Sequence, residues 1–538
     1  MRWSGLLALS AALLLLLPAA ALAAPERNDS PEAGRITAAE ATAAADRDAK
    51  VAGQRREHPG LTSSANIVDG RWEVGYFADG EKVALVIVDP LTGVVRESWT
   101  GEQVAWKMAR GYSGSFGHKL NAPYVFLPLC AIFLLGLLDW RRPWRVANLD
   151  LLVLLGFAAS HFFFNRAQIG VSVPLVYPML LSLFGRGLWI GLRGRGEGLR
   201  PVWPATWLLI AALFLVGFRV GLNVADSGAI DVGYASVVGA DRIAHGEQLY
   251  DNFPEDVSQG DTYGPVNYWA YVPSEAVWPW SGSWDDLPAA HGAAVLFDLA
   301  TFALLFLLGR RVRPGPSGHT LAATLAFGWA AFPCTAYVLE SNSNDALVSL
   351  LLVATLLALS RPVARGVLAS LATLTKFAPV LLAPMLLTYR ATRRSLIAFG
   401  LAFLLTTALV MLWPALDPGL ATFYERTISY QADRDSPFSI WGQVDGLAPL
   451  RTAILIGVAG LAIAFAFWPR HKSLTQVAAL GAALLIGAQL TAEHWFYLYI
   501  VWFYPLLLVA FATVGEGRPS PAAPGSSPAR STRPAPSR

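Results

Sequence analysis

The sequence predicts an all-α polytopic membrane protein with a small α+β domain ahead of its membrane helices. Three observations lead to this prediction: 54% of the residues are hydrophobic, only 15% are charged, and long apolar segments recur from residue 122 onward. A soluble domain has roughly 25% charged residues, so the composition excludes a soluble enzyme of this size, a coiled coil and a disordered chain. A net charge of +3, spread along the chain, gives no sign of nucleic-acid binding.

The two cysteines do not indicate a disulfide-stabilised fold or a metal site. Cys130 and Cys334 both lie within apolar runs, where a cysteine acts as a small packing residue. A single pair cannot build a disulfide scaffold or a cysteine-based zinc site.

The first 24 residues have the pattern of a secretory signal peptide. Arg2 precedes the apolar run Leu6–Leu17, and the small-residue sequence Ala21-Leu22-Ala23 offers a cleavage site. The alternative is an uncleaved first membrane helix, although the run is short for a span. We therefore expect residue 25 onward to be extracytoplasmic.

Residues 25–121 are polar and predict a small α+β domain. Thr37–Gln54 is rich in alanine and predicts a helix. Trp72–Phe77 and Lys82–Asp89 alternate as strands do, joined by a turn at Asp79-Gly80, and Val94–Trp99 predicts a further strand. The stretch VALVIVDPLTGVVRESW resembles a PepSY domain. No catalytic group stands out here, so we expect a sensing, binding or packing role.

Eleven apolar segments predict membrane spans, and arginines orient them. Arginine clusters follow the first, third, fifth and seventh segments, and others flank the eighth and ninth. Because positive residues favour the cytoplasmic side, all clusters share one face if the N-terminus is outside. The segments are 122–139, 148–164, 172–191, 204–224, 289–308, 319–339, 344–360, 395–413, 447–468, 474–491 and 496–514.

This topology divides the chain into regions. Three additional spans occupy 122–203, and a core of 204–514 has two large outer loops, 225–288 and 414–446. The tail 515–538, rich in Pro, Ser and Ala, predicts a disordered cytoplasmic segment. We expect a multi-pass protein of a bacterial cytoplasmic membrane, with its active site on the outer side.

Residues 366–389 do not fit a single span. Arginines flank both ends, so the segment crosses an even number of times, yet it is too short for two full helices. We expect a pair of short or re-entrant helices that turn around Lys376 and Pro379. Non-helical backbone at this depth is tolerated only where it is buried or lines a cavity.

Two ionisable residues predict the chemistry. Asp231 begins an apolar-periodic stretch, Ile230–Ile243, that could lie along the membrane surface. There it could act as a general base or as a helix N-cap. Lys376 is the only lysine between residues 120 and 471 and lies in an apolar run. Such a residue is a functional candidate, here for a phosphate contact, or else a lysine that snorkels.

Further polar residues of the outer loops are candidates for substrate binding. Asn342 and Asn344 suit sugar hydroxyls but also a helix cap, and His494 could bind phosphate or belong to the interfacial belt. In the second loop, Arg434 could bind a phosphate and Trp441 could stack on a sugar, with Gln443 beside them in the stretch SPFSIWGQ. No residues have metal-ligand spacing, so we predict no cofactor, although a divalent cation remains open.

Several of these stretches, over about 204–514, resemble GT-C-fold glycosyltransferases, and family 87 most of all. They are DVGY, HGEQLY, TYGPVNYWAYVP, ESNSNDALVSLLLVATLLAL and LASLATLTKFAPVLLAPMLL. The resemblance implies Asp231 as the catalytic base. Asp226 and Asp261 in the same loop are the fallback candidates, and Tyr263 is a candidate for substrate binding. It also implies a polyprenyl-phosphate-linked sugar donor, an extracytoplasmic glycan or glycolipid acceptor, and inversion at the anomeric carbon. The chain departs from the family in its three additional spans and in Phe377-Ala378, which separate Lys376 from Pro379.

Two other classes of function stay open at this point. A transporter or lipid flippase would favour inverted repeats and several broken helices, whereas only one interrupted segment is visible. A membrane sensor or scaffold would use the N-terminal domain but leaves the polar loops unexplained. Abundant Arg and Ala favour a high-GC bacterium, and for such a source the resemblance to family 87 implies a mannosyl or arabinosyl donor.

Overall fold

The structure is a computed structural model. It describes residues 36–68, 70–78, 81–100, 104, 119–165, 168–254, 257–284, 286–433 and 436–514. The predicted signal peptide, the predicted tail and Arg434 lie outside these residues. Contacts divide the chain into two compact units, the first comprising Met1–Tyr112 with Trp278–Pro288 and the second Ser113–Val277 with Ala289–Arg538.

The first unit contains a four-stranded antiparallel sheet in the order β1-β2-β3-β4. The strands are β1 Thr62–Val68, β2 Arg71–Ala78, β3 Glu81–Val88 and β4 Val95–Thr100. The predicted hairpin is confirmed, since Val74 pairs with Val86 and Tyr76 with Ala84. Strand β1 was not predicted, because its sequence TSSANIV has few apolar residues. Two helices, Ala38–Ala45 and Ala49–Glu57, bury Ala41, Ala45 and Val51 against the sheet.

The prediction of one helix over Thr37–Gln54 was wrong. The chain forms two helices because Asp48 caps the start of the second one. Its carboxylate accepts a hydrogen bond from the Lys50 amide at 2.8 Å. Asp46 also accepts a hydrogen bond from the Tyr76 hydroxyl at 2.8 Å. The hydrogen bond between Asp46 and Tyr76 therefore connects the loop between the two helices to the sheet. The likeness of this unit to a PepSY domain stays a prediction.

The second unit is helical. Its longer helices are Pro123–Leu137, Val146–Phe164, Ile169–Arg193, Ala205–Asp226, Asp231–His245, Pro288–Val312, Gly315–Ala331, Asp345–Leu357, Pro362–Thr373, Arg393–Leu416, Ala448–Phe467, Leu474–Leu490 and Ile500–Thr513. The shorter helical pieces are Pro265–Trp269, Val272–Glu275, Pro333–Glu340, Ala378–Leu382, Ala383–Leu387, Leu420–Tyr424, Glu425–Ser429, Tyr430–Asp433, Ile440–Gln443 and Tyr497–Tyr499.

Six of the described helices are long and apolar enough to cross a membrane, or seven if the bent pair Gly315–Ala331 and Pro333–Glu340 forms one span. Helices also lie at the other predicted segments but are shorter, for example Asp345–Leu357. The protein is thus a mostly helical membrane protein. Its predicted count of eleven spans and the outer position of the N-terminal domain stay predictions.

The predicted turn in 366–389 corresponds to a break in the helix. The helix Pro362–Thr373 ends ahead of Lys376, and helical structure resumes at Ala378. Pro379 lies in the first turn of the new segment, where a missing N–H costs nothing. Lys376 therefore lies in irregular backbone between two helices.

A buried ion pair lies inside the helical unit. Arg219 binds Asp298 across two helices, and the side chains are only 2% and 1% exposed. The Trp329 indole N–H also donates to Asp298 at 2.9 Å, and Arg219 donates to Thr335 Oγ1 at 3.2 Å. Charges taken out of water need such partners, so this cluster specifies how the surrounding helices pack.

We predict that Arg219→Met destabilises the protein by about 3–5 kcal/mol, because it leaves Asp298 buried without its cation. The measurement is the apparent melting temperature of the purified protein in detergent. The double variant Arg219→Met/Asp298→Leu should recover much of this loss. Arg242→Met is the matched control, since its partner Glu247 is 46% exposed and such pairs contribute about 0–1 kcal/mol. Equal losses in both single variants would contradict the prediction.

Candidate active site

Asp231 is the first residue of the helix Asp231–His245 and is half-buried. The Ile230 amide donates to the Ser341 carbonyl at 3.0 Å, which fixes the helix start against a second segment. Gly233 permits this contact, because a Cβ atom there would lie 2.3 Å from the Asn342 carbonyl oxygen. Ile230, and not Asp231, occupies the N-cap position.

That this helix lies along the membrane surface stays a prediction. All residues from Gly233 to Ala240 are buried, so protein covers both sides of the helix. Its apolar periodicity reflects this packing, and the buried Ser236 hydroxyl donates to the Val232 carbonyl at 2.7 Å.

Asn342 supports the segment just before Asp231. Its backbone is left-handed, with φ of 49°, and its amide donates to Ser227 Oγ at 3.0 Å and to the Gly228 carbonyl at 3.1 Å. Its Oδ1 accepts a hydrogen bond from Asn223 at 2.8 Å. The polar atoms of this predicted substrate ligand are therefore engaged within the protein.

Lys376 is buried in an aromatic cage. Its Nζ lies 5.0 Å from the centre of the Tyr263 ring, 5.5 Å from Tyr499 and 5.1 Å from Trp502. It donates a hydrogen bond of 2.6 Å to Asp345 Oδ1, which also accepts the Trp502 indole N–H at 2.7 Å. The side chain is 6% exposed, so it does not snorkel to water.

Sequence reasoning missed Asp345 as the partner of Lys376. The two residues are 31 positions apart. Asp345 also begins a helix, where a carboxylate commonly stabilises the first turn. The available signal was that a lysine in an apolar run requires a counter-charge, and Asp345 precedes another apolar run.

Gly264 brings Tyr263 to Lys376. Its amide donates to the Thr375 carbonyl at 3.3 Å, and the Val266 amide donates to the Leu374 carbonyl at 3.1 Å. A Cβ atom on Gly264 would lie 2.0 Å from the Leu374 carbonyl oxygen, so only glycine permits this approach. The start of the Asp231 helix packs against residues 341 and 342, only a few positions ahead of Asp345, the partner of Lys376.

Residues 262–492 match the model of glycosyltransferase family 87. The protein is therefore a glycosyltransferase, and this stretch of it is similar to family 87. The matched stretch includes Tyr263, Asp345 and Lys376, whereas Asp231 precedes it. No curated protein matches the chain. The family and the apolar helices together make the protein a multi-pass membrane glycosyltransferase.

A second group of buried polar residues lies beside the lysine cage of the transferase. Ser236 Oγ accepts hydrogen bonds from Asn267 at 3.0 Å and from Asn344 at 3.3 Å. Within the described residues, the Oδ1 atoms of both amides and Asp345 Oδ2 have no hydrogen-bond partner. Buried acceptors of this kind require donors, such as water or a hydroxyl group. Asn344 thus keeps a free acceptor, unlike Asn342.

The two fallback bases are engaged in ion pairs. Arg426 donates to Asp261 at 2.7 and 2.8 Å, and the Asp251 amide donates to the same carboxylate at 2.7 Å. Burial raises the pKa of Asp261, and the bonds from Arg426 oppose that shift. Asp226 pairs with Lys119 at 3.0 Å. Asp261 and Arg426 thereby join the two predicted outer loops.

The remaining candidates hold the second loop against later helices. Ser436 Oγ and His494 Nδ1 are hydrogen-bonded at 2.9 Å, and Trp441 donates to the Leu490 carbonyl at 3.0 Å. Gln443 donates to the Pro437 carbonyl at 2.8 Å. Among the described residues, no three His, Cys, Asp or Glu side chains gather as metal ligands would, and the absence of a cofactor stays a prediction.

We predict that Gly264→Ala lowers sugar transfer by about 100-fold, because the added carbon displaces Tyr263 and the backbone beside Lys376. The readouts are transfer rate and apparent melting temperature, the latter reflecting an overpacking cost of about 1–3 kcal/mol. Gly217→Ala is the matched control, since its Cβ would meet nothing within 4 Å. A Gly264→Ala enzyme as active as this control would contradict the assigned close approach.

Proposed function

We propose that the enzyme transfers a sugar, mannose or another hexose or pentose, from a polyprenyl-phosphate donor to an extracytoplasmic glycan or glycolipid acceptor. Transfer inverts the anomeric carbon, with Asp231 as general base and Lys376 at the donor phosphate. The observation that carries the proposal is a half-buried carboxylate, Asp231, at a helix start that packs against residues 341 and 342, just ahead of Asp345, which pairs with the buried Lys376.

The reaction needs a base at the acceptor. Asp231 takes the proton of the acceptor hydroxyl. The oxygen of that hydroxyl attacks the anomeric carbon. The bond from that carbon to the phosphate oxygen breaks, and polyprenyl phosphate leaves with the electron pair. The fallbacks Asp226 and Asp261 face cations at 3.0 and 2.7 Å, and an opposite charge lowers the basicity of a carboxylate.

The leaving phosphate needs positive charge and not a general acid, because it is already stable as an anion. The Lys376 ammonium has three N–H donors, and Asp345 accepts one of them. The other two are available to a phosphate that approaches beside the rings. Asn344 and Asn267 keep free acceptors near this position, which suits them to sugar hydroxyl groups.

The location follows from the same proposal. The protein lies in a bacterial cytoplasmic membrane with the catalytic loops and the N-terminal domain outside, as the one-sided arginine clusters indicate. The donor then reaches the site from the bilayer, and the acceptor from the outer side. Purified protein in liposomes, incubated with polyprenyl-phosphate sugars and a panel of glycolipid acceptors, tests this function. The anomeric configuration of the product, read by NMR, tests inversion.

We predict that Asp231→Asn lowers transfer by about 100- to 10,000-fold, the usual contribution of a positioned base. The melting temperature should stay unchanged, because the amide keeps the shape of the side chain. Asp226→Asn is the control and should retain at least about a third of the activity. Full activity of Asp231→Asn would eliminate Asp231 as the base.

We predict that Lys376→Met lowers kcat/KM for the donor by about 100- to 1,000-fold, because it removes a charge that stabilises the leaving phosphate. Since this change also leaves Asp345 buried without its cation, the double variant Lys376→Met/Asp345→Asn separates the two effects. It should regain thermal stability but not activity. Recovery of both would show that Lys376 serves only the fold.

A further inference from the structure

A basic cavity lies at the end of the helix Ile169–Arg193, outside the stretch 262–492 that matches the glycosyltransferase model. The cavity has a volume of about 520 Å³ and is lined by Trp189, Leu192, Arg193, Arg195 and Gly196. This volume falls within the range of sites for small molecules, about 300–1,000 Å³.

Its two arginines are exposed and carry no counter-charge. Arg193 and Arg195 form no ion pair within the described residues, although Arg193 lies over the Trp189 ring at 5.1 Å. The nearby carboxylates are already paired. Arg186 binds Asp150 at 2.8 Å, and Arg145 lies 3.6 Å from Glu197. The cavity therefore has a net positive charge.

The end of the helix shapes the cavity. Gly194 adopts a left-handed conformation with φ of 62°, and its amide donates to the Ile190 carbonyl at 2.8 Å. The Gly191 carbonyl accepts a hydrogen bond from Gln476 at 2.9 Å. These bonds satisfy carbonyl oxygens of the last turn, which would otherwise repel an anion. The reversal at Gly194 puts Arg193 and Arg195 on the wall of the same cavity.

The surroundings indicate a lipid and not a soluble anion. The helix is long and apolar enough to span a membrane, and its end is where lipid headgroups lie. Trp189 is 55% exposed one turn before that end, which is the interfacial position that tryptophan favours. Basic residues at the end of a membrane helix attract anionic headgroups.

We propose that this cavity binds the headgroup of an anionic phospholipid. The two guanidinium groups hold the phosphodiester through charge-assisted hydrogen bonds, and Trp189 packs on the glycerol and upper acyl chains. Removal of both charges should weaken binding about 30-fold, from the usual contribution of each arginine near a membrane surface.

The test uses full-length protein in detergent, titrated with phosphatidylglycerol or with phosphatidylcholine of the same acyl chains. Native mass spectrometry counts bound lipids, and the apparent melting temperature reports stabilisation. We expect one tightly held phosphatidylglycerol on the unmodified protein, and about 30-fold weaker binding by Arg193→Gln/Arg195→Gln. Equal binding of both lipids, or an equal effect of inorganic phosphate, would overturn the proposal.

Two further variants keep this test decisive. Arg141→Gln/Arg142→Gln removes the same charge from exposed residues outside the cavity and should weaken binding less than about threefold. Arg193→Lys/Arg195→Lys keeps the charge and should bind better than the glutamine variant. A lysine variant as weak as the glutamine variant would overturn the electrostatic explanation. No readout depends on sugar transfer, so this proposal and the proposed function succeed or fail separately.

Discussion

The ion pair between Lys376 and Asp345 is the interaction on which the active site depends. Both side chains are buried, and a buried charge is tolerated only with a partner. Asp345 Oδ1 also accepts the Trp502 indole N–H, so one carboxylate joins a helix break, a helix start and the last helix. Tyr263 covers the same lysine. Without the pair, these three separate parts of the chain would lose the carboxylate that joins them.

Local features could be predicted from the sequence, but contacts between residues far apart in the chain could not. Lys376 stood out because a lysine in an apolar run is costly by itself. Its partner did not, because Asp345 also suits a helix start. Asp261 was a fallback base by position in its loop, but Arg426, 165 residues away, uses its carboxylate in an ion pair. Spacing along a chain carries no information about a partner that only tertiary packing brings near.

The fold shows the same division. The hairpin of β2 and β3 and the helix break near Pro379 follow from patterns a few residues long, and the structure contains both. The helix Asp231–His245 was predicted, yet its environment was not. A buried helix and a surface helix share an apolar periodicity, and what distinguishes them is the set of partners for Ser236, which Asn267 and Asn344 supply from distant segments.

The rigidity of the site follows from how Tyr263 is held. On one side, backbone hydrogen bonds join Gly264 and Val266 to residues 374 and 375. On the other, Arg426 binds Asp261 two residues earlier, and Gln431 donates to Thr262 at 2.6 Å. The ring is thus constrained from both directions before any substrate binds. Fixed charges and dipoles stabilise a transition state best when they need no rearrangement. Both constraints therefore hold the Tyr263 ring in place over Lys376.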